Sequence, residues 1–342
     1  KILFFIENYY EELGGSYEAF GSTAYRLNKK KIKVKSIYFN NGETKKKINT
    51  YRIIKNHDII HAFGVWSFKH IKTIIYSLIL GKKIIITPMG SFEPWSMSQK
   101  KIKKQIAFML YQKTLLKKVN LVHCTSKNEQ ENIKKLDKNI KTILIPHAAE
   151  GSNYEKKDIN INKKIKKMLF FSRIHKKKGL DNLLMAWREL KPNNWILDII
   201  GPDSDGSSFE LNQKIKEYKL TESIFIKKPV FGSNNKKELF TKYDFSVLPS
   251  KNENFGYSIL ESLRHSLPVI TNTNTPWSEI KDYNAGCYIN DDYESLKQTL
   301  LKVFNYSNEE ILKKSKNAYE LSKQYEWSSV LKKYEDMYSS LA

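Results

Sequence analysis

Apolar residues occur along this chain in two alternating patterns, and the alternation predicts its architecture. Short apolar runs, beginning with Lys1-Ile2-Leu3-Phe4-Phe5-Ile6-Glu7, read as strands covered on both faces, because a strand with one wet face would alternate apolar and polar residues. Further strands are expected at residues 34–39, 58–63, 83–87, 121–124 and 142–145. Between them, a stretch after Ser16 to about Asn28, residues 66–80, residues 102–116 and a stretch from Ser126 carry helical spacing. The pattern pauses in the lysine- and asparagine-rich residues 151–166 and then restarts. Strands are expected at 168–172, 195–200, 224–226, 245–248 and from 267, and the chain closes on helices at 293–304, 307–323 and 327–339. Repeated strand–helix units imply a parallel sheet with helices on both faces, where ligands sit at the carboxyl ends of the strands. The expectation is α/β: one doubly wound domain at 1–150, a linker at 151–166 and a second domain at 167–325.

Composition changes this picture only in part. The 342 residues are enough for two domains, and 40% hydrophobic with 13% aromatic content is ample for their cores. A formal charge of +23 invites a nucleic-acid reading. Which cations are used weakens it: of 59 basic residues only Arg26, Arg52, Arg173, Arg188 and Arg264 are arginines. Lys, Asn, Ile and Tyr are abundant together, as a compositional drift along the whole chain would make them. The excess still favours anionic partners such as nucleotide diphosphates and acidic lipid surfaces. Cys124 and Cys287 form no CxxC pair and no disulfide framework, which fits a reducing compartment. The longest apolar run, 74–80, is interrupted by Tyr76 and Ser77 and is too short to span a bilayer. No segment reads as a signal peptide, so a cytoplasmic protein, soluble or peripherally bound at the inner face of the membrane, is expected.

Candidate chemistry concentrates after the strands of the second half. In F-S-V-L-P-S-K-N-E-N-F-G-Y-S-I-L-E, the strand at 245–248 leads through a polar loop into a helix at 257–264. Asn254 and Gly256 stand at the mouth of that helix, whose first N–H groups lack intrahelical acceptors and suit a phosphate. Glu253 precedes the helix and Glu261 lies inside it, about 12 Å further on at helical rise. On spacing alone they are a loop acid and an early-helix acid favoured by the dipole. Arg173 and Lys178 flank the turn R-I-H-K-K-K-G and can converge on one diphosphate. Asp203-Ser204-Asp205, in a Gly/Pro/Asp/Ser cluster after a strand, reads as a turn and not as a metal site.

In the first half, Gly14-Gly15-Ser16 follows the first strand, where glycine lets the backbone approach a ligand. His61 falls at the end of a strand in H-A-F-G-V-W. T-P-M-G-S-F-E-P-W puts Gly90, Glu93 and Trp95 on one loop, by its residues alone a rigid turn with a buried indole. Residues 97–118 set lysines at 100, 101, 103, 104, 113, 117 and 118 around Ile102, Ile106, Phe108, Met109, Leu110, Leu115 and Leu116. Such a helix either lies on an anionic membrane or packs its apolar stripe on the sheet with a solvated lysine face.

The E-x7-E spacing of Glu253 and Glu261, with N-F-G-Y inside it, resembles the large family of retaining GT-B glycosyltransferases (family 4-like) that includes bacterial polysaccharide and lipopolysaccharide enzymes. R-I-H-K-K-K-G resembles that family's G-R-[LI]-x-x-x-K-G segment, with Ser172 replacing the usual glycine. Val230-Phe231-Gly232 resembles its loop around the donor base, the Pro94-Trp95 loop its G-x-x-x-P-W loop, and Y-E-W-S-S-V-L-K-K-Y its terminal helix. Ile145-Pro146-His147-Ala148 departs from the family's I-P-N-G, so no ligand role carries over to His147 or Ala148.

The resemblance implies two Rossmann-like domains facing a central cleft, with residues 326–342 crossing back to the first. It implies a retaining, metal-independent transferase that moves a sugar from a nucleotide diphosphate sugar to a hydroxyl of a saccharide or lipid-linked saccharide, in cell-surface glycan biosynthesis. No cofactor beyond the donor substrate is implied. In that reading Glu253 holds the sugar, Glu261 the ribose, and Arg173 with Lys178 the diphosphate, while His61 lines the reacting face. Gly15, Ser16, Phe231, Gly232, Asn254, Phe255, Gly256 and Tyr257 contact the donor, and Gly90, Glu93 and Trp95 face the acceptor. No nucleophilic carboxylate is assigned beneath the anomeric carbon, which favours front-face attack over double displacement. The alternatives are a basic protein that binds nucleic acid with strong salt dependence, or an epimerase or pyridoxal-phosphate phosphorylase of the same fold.

Overall fold

The computed structural model of the chain describes residues 1–10, 14–38, 49–99, 101–151, 164–203 and 205–342. Leu13 of the glycine loop, Phe39, Lys100, Ser204 and most of the expected linker lie outside the described residues. In chain order the first elements are β1 (Ile2–Ile6), α1 (Gly15–Lys29), β2 (Val34–Tyr38), α2 (Thr50–Lys55), β3 (Ile59–Phe63), α3 (Phe68–Ile79) and β4 (Lys83–Thr87). Next come α4 (Pro94–Ser98), α5 (Lys101–Ala107), a π-turn at Phe108–Gln112, α6 (Lys113–Lys118), β5 (Leu121–Cys124), α7 (Lys127–Leu136) and β6 (Thr142–Leu144). The second series is β7 (Lys166–Phe171), α8 (Leu180–Leu190), β8 (Trp195–Ile200), α9 (Ser207–Glu217), β9 (Ile224–Lys227), α10 (Ser233–Phe240) and β10 (Phe245–Leu248). It continues through α11 (Tyr257–Arg264), β11 (Val269–Asn272), α12 (Glu279–Asp282), β12 (Gly286–Ile289), α13 (Tyr293–Phe304), α14 (Asn308–Ser322) and α15 (Trp327–Ser339).

These elements form two compact units, Lys1–Ala148 with Trp327–Ala342, and Ala149–Glu326. Each holds one six-stranded parallel sheet. In the first unit the order is β2-β1-β3-β4-β5-β6, so the chain leaves β1 toward one edge and returns to its other side at β3. In the second the order is β12-β11-β10-β7-β8-β9, and the reversal falls between β7 and β10. At such a switch point the loops leaving adjacent strands diverge to opposite faces and open a crevice at their carboxyl ends. All five apolar residues of β1 are buried, and so are all four of β10, Ser246 included.

The first unit packs Phe4, Phe20, Leu27 and Phe63 against Trp327, Val330 and Tyr334 of α15. Its other face buries Ile84, Ile86, Val122 and Ile133. Trp187, Trp195 and Trp277 are fully enclosed in the second unit. Each such side chain stabilises its unit by about 1.5–3 kcal/mol relative to exposure.

Polar caps fix several helix starts. Ser67 accepts the His70 N–H and begins α3 at Phe68, inside the expected 66–80. Ser307 and Glu310 cap each other's backbone at the start of α14. The helix expected at 102–116 runs from Lys101 to Lys118 but is broken by the π-turn, around which Gln112 is buried. Strand β12, absent from the sequence reading, is a four-residue edge strand starting at a glycine.

Candidate functional site

The switch point of the second unit gathers most of the charged candidates. Strand β7 ends at Phe171, and the chain passes Arg173 into a single 3₁₀ turn, Lys176–Lys178, before α8. Gly179 closes that turn at φ 77°, and a Cβ there would lie 1.9 Å from the carbonyl oxygen of Pro249 at the exit of β10. Only glycine allows the two strand exits to meet this closely. The contact is then sewn by hydrogen bonds: the Lys251 N–H donates to the Lys177 carbonyl at 2.8 Å, and the Ser250 hydroxyl donates to the same oxygen at 3.1 Å.

The result is an ion pair between Lys178 Nζ and Glu253 Oε1, with the two side chains 7% and 10% exposed. Burial opposes ionisation of Glu253, but the charges of Lys178 and Lys177, with the hydrogen bond from Lys178, more than offset it and hold its pKa below the ordinary value. Glu253 is therefore a carboxylate, an acceptor and not an acid. Burial, then the neighbouring Lys178 and Arg173 charges, push the Lys177 amine down to about 8 even though Glu253 pulls the other way. Arg173, half-buried, makes no hydrogen bond or ion pair among the described residues. Two lysines thus act on one carboxylate, with Arg173 near enough to Lys177 to help depress it, and cations outnumber that carboxylate.

Beyond Glu253, the chain enters α11 through Gly256 at φ 76°, where a Cβ would press on Ile259 and the Trp277 indole at 3.1 and 3.2 Å. The Trp277 Nε1–H donates to the Phe255 carbonyl at 2.5 Å, and the Phe255 ring lies edge-on to that indole. Asn254 and Tyr257 are half-buried beside it. Glu261, 4% exposed inside α11, accepts from Lys236 Nζ of α10 at 3.1 Å. Phe231 is half-buried and Gly232 exposed at the start of α10, where Asn235 Nδ2 donates to the Phe231 carbonyl at 3.1 Å. The sequence reading missed Lys177, Lys236 and Trp277. Lys177 stood in the quoted K-K-K turn, whereas nothing in S-N-N-K-K-E marks Lys236 as a lysine that will be buried. Asp203 and Asp205 accept from the backbone N–H groups of Ser208 and Ser207 at 3.2 Å each, capping the start of α9 as a turn should.

In the first unit the expected residues separate into two kinds. Gly15 and Ser16 open α1, half-buried, after Gly14 at φ 59°. The Gly90 N–H donates to Glu129 Oε1 at 2.8 Å, Glu93 accepts from Asn132 at 2.8 Å, and Trp95 is half-buried in α4. His61 does not line an open face. It is fully enclosed within β3, with Nδ1 2.7 Å from the Tyr338 hydroxyl and Nε2 2.7 Å from Thr87 Oγ1. The expectation that it faces the reacting groups is corrected for a simple reason: α15 closes over this face of the sheet.

The proton positions along this chain of contacts follow from one end. His123 Nε2 lies 2.8 Å from the Ile145 carbonyl, which can only accept, so it carries the proton. Burial holds His123 down to about 4 and His61 well below the usual histidine value, so both rings are neutral. His123 Nδ1 must then accept from the Thr87 hydroxyl at 2.8 Å, Thr87 accepts from His61 Nε2–H, and Tyr338 donates to His61 Nδ1. Every proton is fixed and every partner is satisfied.

A model of the family described as glycosyl transferases group 1 matches residues 152–325. No curated protein matches the chain by sequence. Among solved structures, a sucrose-phosphate synthase from Thermosynechococcus elongatus is similar at a TM-score of 0.78 and 15% identity, covering 99% of this chain and 98% of that one. HepE from Anabaena, solved with UDP and glucose, gives 0.77 at 15% identity over 99% of both chains. WaaG, a glycosyltransferase involved in lipopolysaccharide biosynthesis, gives 0.71 at 15% identity over 98% of this chain and 99% of that one. At these identities the likeness bears on the fold, and the α/β architecture is the GT-B one.

Proposed function

The chain belongs to the group 1 glycosyl transferases, and from that premise we propose that it transfers a sugar, with retention, from a nucleotide diphosphate sugar bound at the β7–β10 switch point. The observation that carries this is the pairing of Lys178 and Lys177 with Glu253, with Arg173 beside Lys177, ahead of the N-terminus of α11. A diphosphate leaving group builds negative charge in the transition state, and cations already fixed in a partly dry site stabilise that charge without reorganising. The protein's own cations meet this demand, so the reaction is written without a metal. Arg173 and Lys178 hold the diphosphate, with the first N–H groups of α11. Gly256 and Phe255 shape that helix entry, and Phe231 and Gly232 flank the base. Glu253, kept ionised by Lys178, accepts from hydroxyls of the donor sugar. Glu261 holds the ribose, with Lys236 as its counter-ion.

A carboxylate committed to a lysine is a poor nucleophile, so retention is assigned to attack from the leaving-group side. Gly15 and Ser16 are assigned to the donor, Gly90, Glu93 and Trp95 to the acceptor side, and His61 to fixing α15 on its sheet rather than to chemistry. The acceptor is a saccharide or a lipid-linked saccharide of a cell-surface glycan. The test is calorimetry and turnover over UDP-, GDP- and ADP-sugars. Arg173→Ala and Lys178→Ala are expected to weaken nucleotide diphosphate binding at least tenfold, about 1.4 kcal/mol. Wild-type transfer by both variants overturns the assignment.

Attachment to an anionic membrane is proposed for the face of α5 and its π-turn. Ile102, Ile106, Met109 and Leu110 are 73, 49, 71 and 74% exposed there, next to exposed Lys101 and Lys103. Among the described residues no helix is long and apolar enough to cross a membrane, so this face would lie in the interface. Sedimentation with phosphatidylglycerol-containing vesicles should capture the protein at low salt. Replacing Lys100, Lys101, Lys103 and Lys104 with Gln should reduce the capture, each lysine near the surface being worth about 1 kcal/mol. No capture at low salt rules the attachment out.

A further inference from the structure

We propose that Asp291 is a positioning residue for Glu253, acting through the loop that leaves β11. The inference rests on the assignment of Glu253 to the donor sugar. Asp291 follows β12 and makes no hydrogen bond to Glu253 or to the cations around it among the described residues. Its two carboxylate oxygens divide their work: Oδ1 accepts from Asn272 Nδ2 at 2.9 Å, and Oδ2 accepts from Asn274 Nδ2. A carboxylate holding two amides in this way fixes both side chains with charge-assisted hydrogen bonds.

The loop between those asparagines is then internally closed. Asn272 Oδ1 accepts the Asn274 N–H at 3.2 Å, and the Asn272 carbonyl accepts from the Thr275 N–H at 3.0 Å and its hydroxyl at 2.9 Å. The Thr273 N–H is tied to the Ile289 carbonyl at 2.9 Å, at the end of β12. The Asn274 carbonyl is the group this loop hands to the donor site: it accepts the N–H of Glu253 at 3.0 Å. Glu253 is thus held at its backbone by the Asp291-built loop and at its carboxylate by Lys178. Release the first hold and the carboxylate stays charged but loses its place, and a displacement of about 1 Å at a reacting group can cost on the order of a hundredfold in rate.

The test uses the full chain with Asp291→Ala, Asp291→Asn and, as a control, Glu253→Gln. Amide hydrogen exchange at Glu253, read from peptides over residues 249–257, is expected to quicken in Asp291→Ala. Turnover of the nucleotide sugar should fall about ten- to hundredfold in kcat, with donor KM and nucleotide diphosphate affinity within about twofold of wild type. Asp291→Asn keeps one acceptor oxygen and should fall between the two. Unchanged exchange with unchanged kcat overturns the tether. Exchange that quickens across the whole of Ala149–Glu326, with nucleotide binding lost in parallel, marks a purely structural residue and also overturns it. If exchange at Glu253 quickens while kcat holds, and Glu253→Gln also turns over normally, the tether stands as geometry and the fault lies in the role given to Glu253. The positioning role then falls with it.

Discussion

Replacing Lys178 with Met leaves the Glu253 carboxylate enclosed without the ammonium that pairs with it. Breaking a buried ion pair from one side costs about 3–5 kcal/mol, because the remaining charge is neither solvated nor paired. Lys177 still attracts Glu253 in this site, so the expected loss is about 3 kcal/mol, the lower end of that range. The pH dependence separates this cause from a simple packing defect. In the wild type the folded pKa of Glu253 lies below its unfolded value, so its contribution is present above about pH 4.3 and is lost as pH falls through the folded value. Without Lys178, burial, the largest influence on this carboxyl, is no longer offset and pushes the folded pKa up. The folded variant then binds the extra proton, and its stability rises as pH drops through that raised value toward about 4.3, the unfolded one. Over this range Glu253 contributes no slope in the wild type. Urea unfolding at pH 5 and 7, followed by pulsed hydrogen exchange in peptides of β7 and β10, reads this unit apart from the other. A loss below about 1 kcal/mol with the wild-type slope would falsify the reasoning. The double variant Lys178→Met with Glu253→Gln should recover most of the loss, since both charges go together.

Three further outcomes follow from the same geometry. Gly179→Ala puts a methyl group 1.9 Å from the Pro249 carbonyl at a left-handed φ, and should cost upward of about 2 kcal/mol and weaken nucleotide diphosphate binding; wild-type melting and binding would count against the close strand-exit contact. Burial depresses His123 to about 4 and His147 to about 3, so the unit built on β1 should lose stability as pH falls below about 6.5, by about 3 kcal/mol for His123 alone at pH 4. Acid titration followed by hydrogen exchange in β3 and β5 checks this, and a flat profile from pH 7 to 4 refutes it. Lys177, lowered to about 8, should become fully charged when a nucleotide diphosphate binds, taking up a proton at pH 8 and losing affinity as pH rises further. Calorimetry in two buffers of different ionisation heat measures the uptake, which Lys177→Met should abolish; equal heats in both buffers sink the claim.

What could be read in advance followed from where each signal lives. Strands β1, β3 and β10, and β4 after its exposed Lys83, are buried on both faces, so their sequences are mostly apolar and declare themselves. Strand β12 is a short, half-buried edge strand with a glycine, a cysteine and a tyrosine, and carries no such run. Arg173, Lys178 and Glu253 stood out because they sit at strand ends, but their union did not. Lys178 and Glu253 are 75 residues apart, and they meet because β7 and β10 are neighbours in the sheet. A strand's neighbours are set by handedness and packing of the whole sheet, which local periodicity does not encode. His61 misled for the opposite reason. A histidine at a strand end looks alike whether it meets solvent or Tyr338, 277 residues further along.

The division of the chain also sets a timetable for its synthesis. The unit Ala149–Glu326 is one uninterrupted stretch and has all of its sheet and helices once Glu326 is made. The other unit begins first and finishes last, because Tyr338 donates the terminal proton of its buried histidine chain and Trp327, Val330 and Tyr334 seal one face of its sheet. At ribosomal rates of about 5–20 residues per second, the first sheet waits roughly 10–35 s with that face uncovered while the second unit is translated. During this interval Phe4, Phe20 and Phe63 lack the aromatic cover that α15 supplies, and the nascent chain is most open to chaperones and to aggregation. A premature stop within the last helix would make that interval permanent.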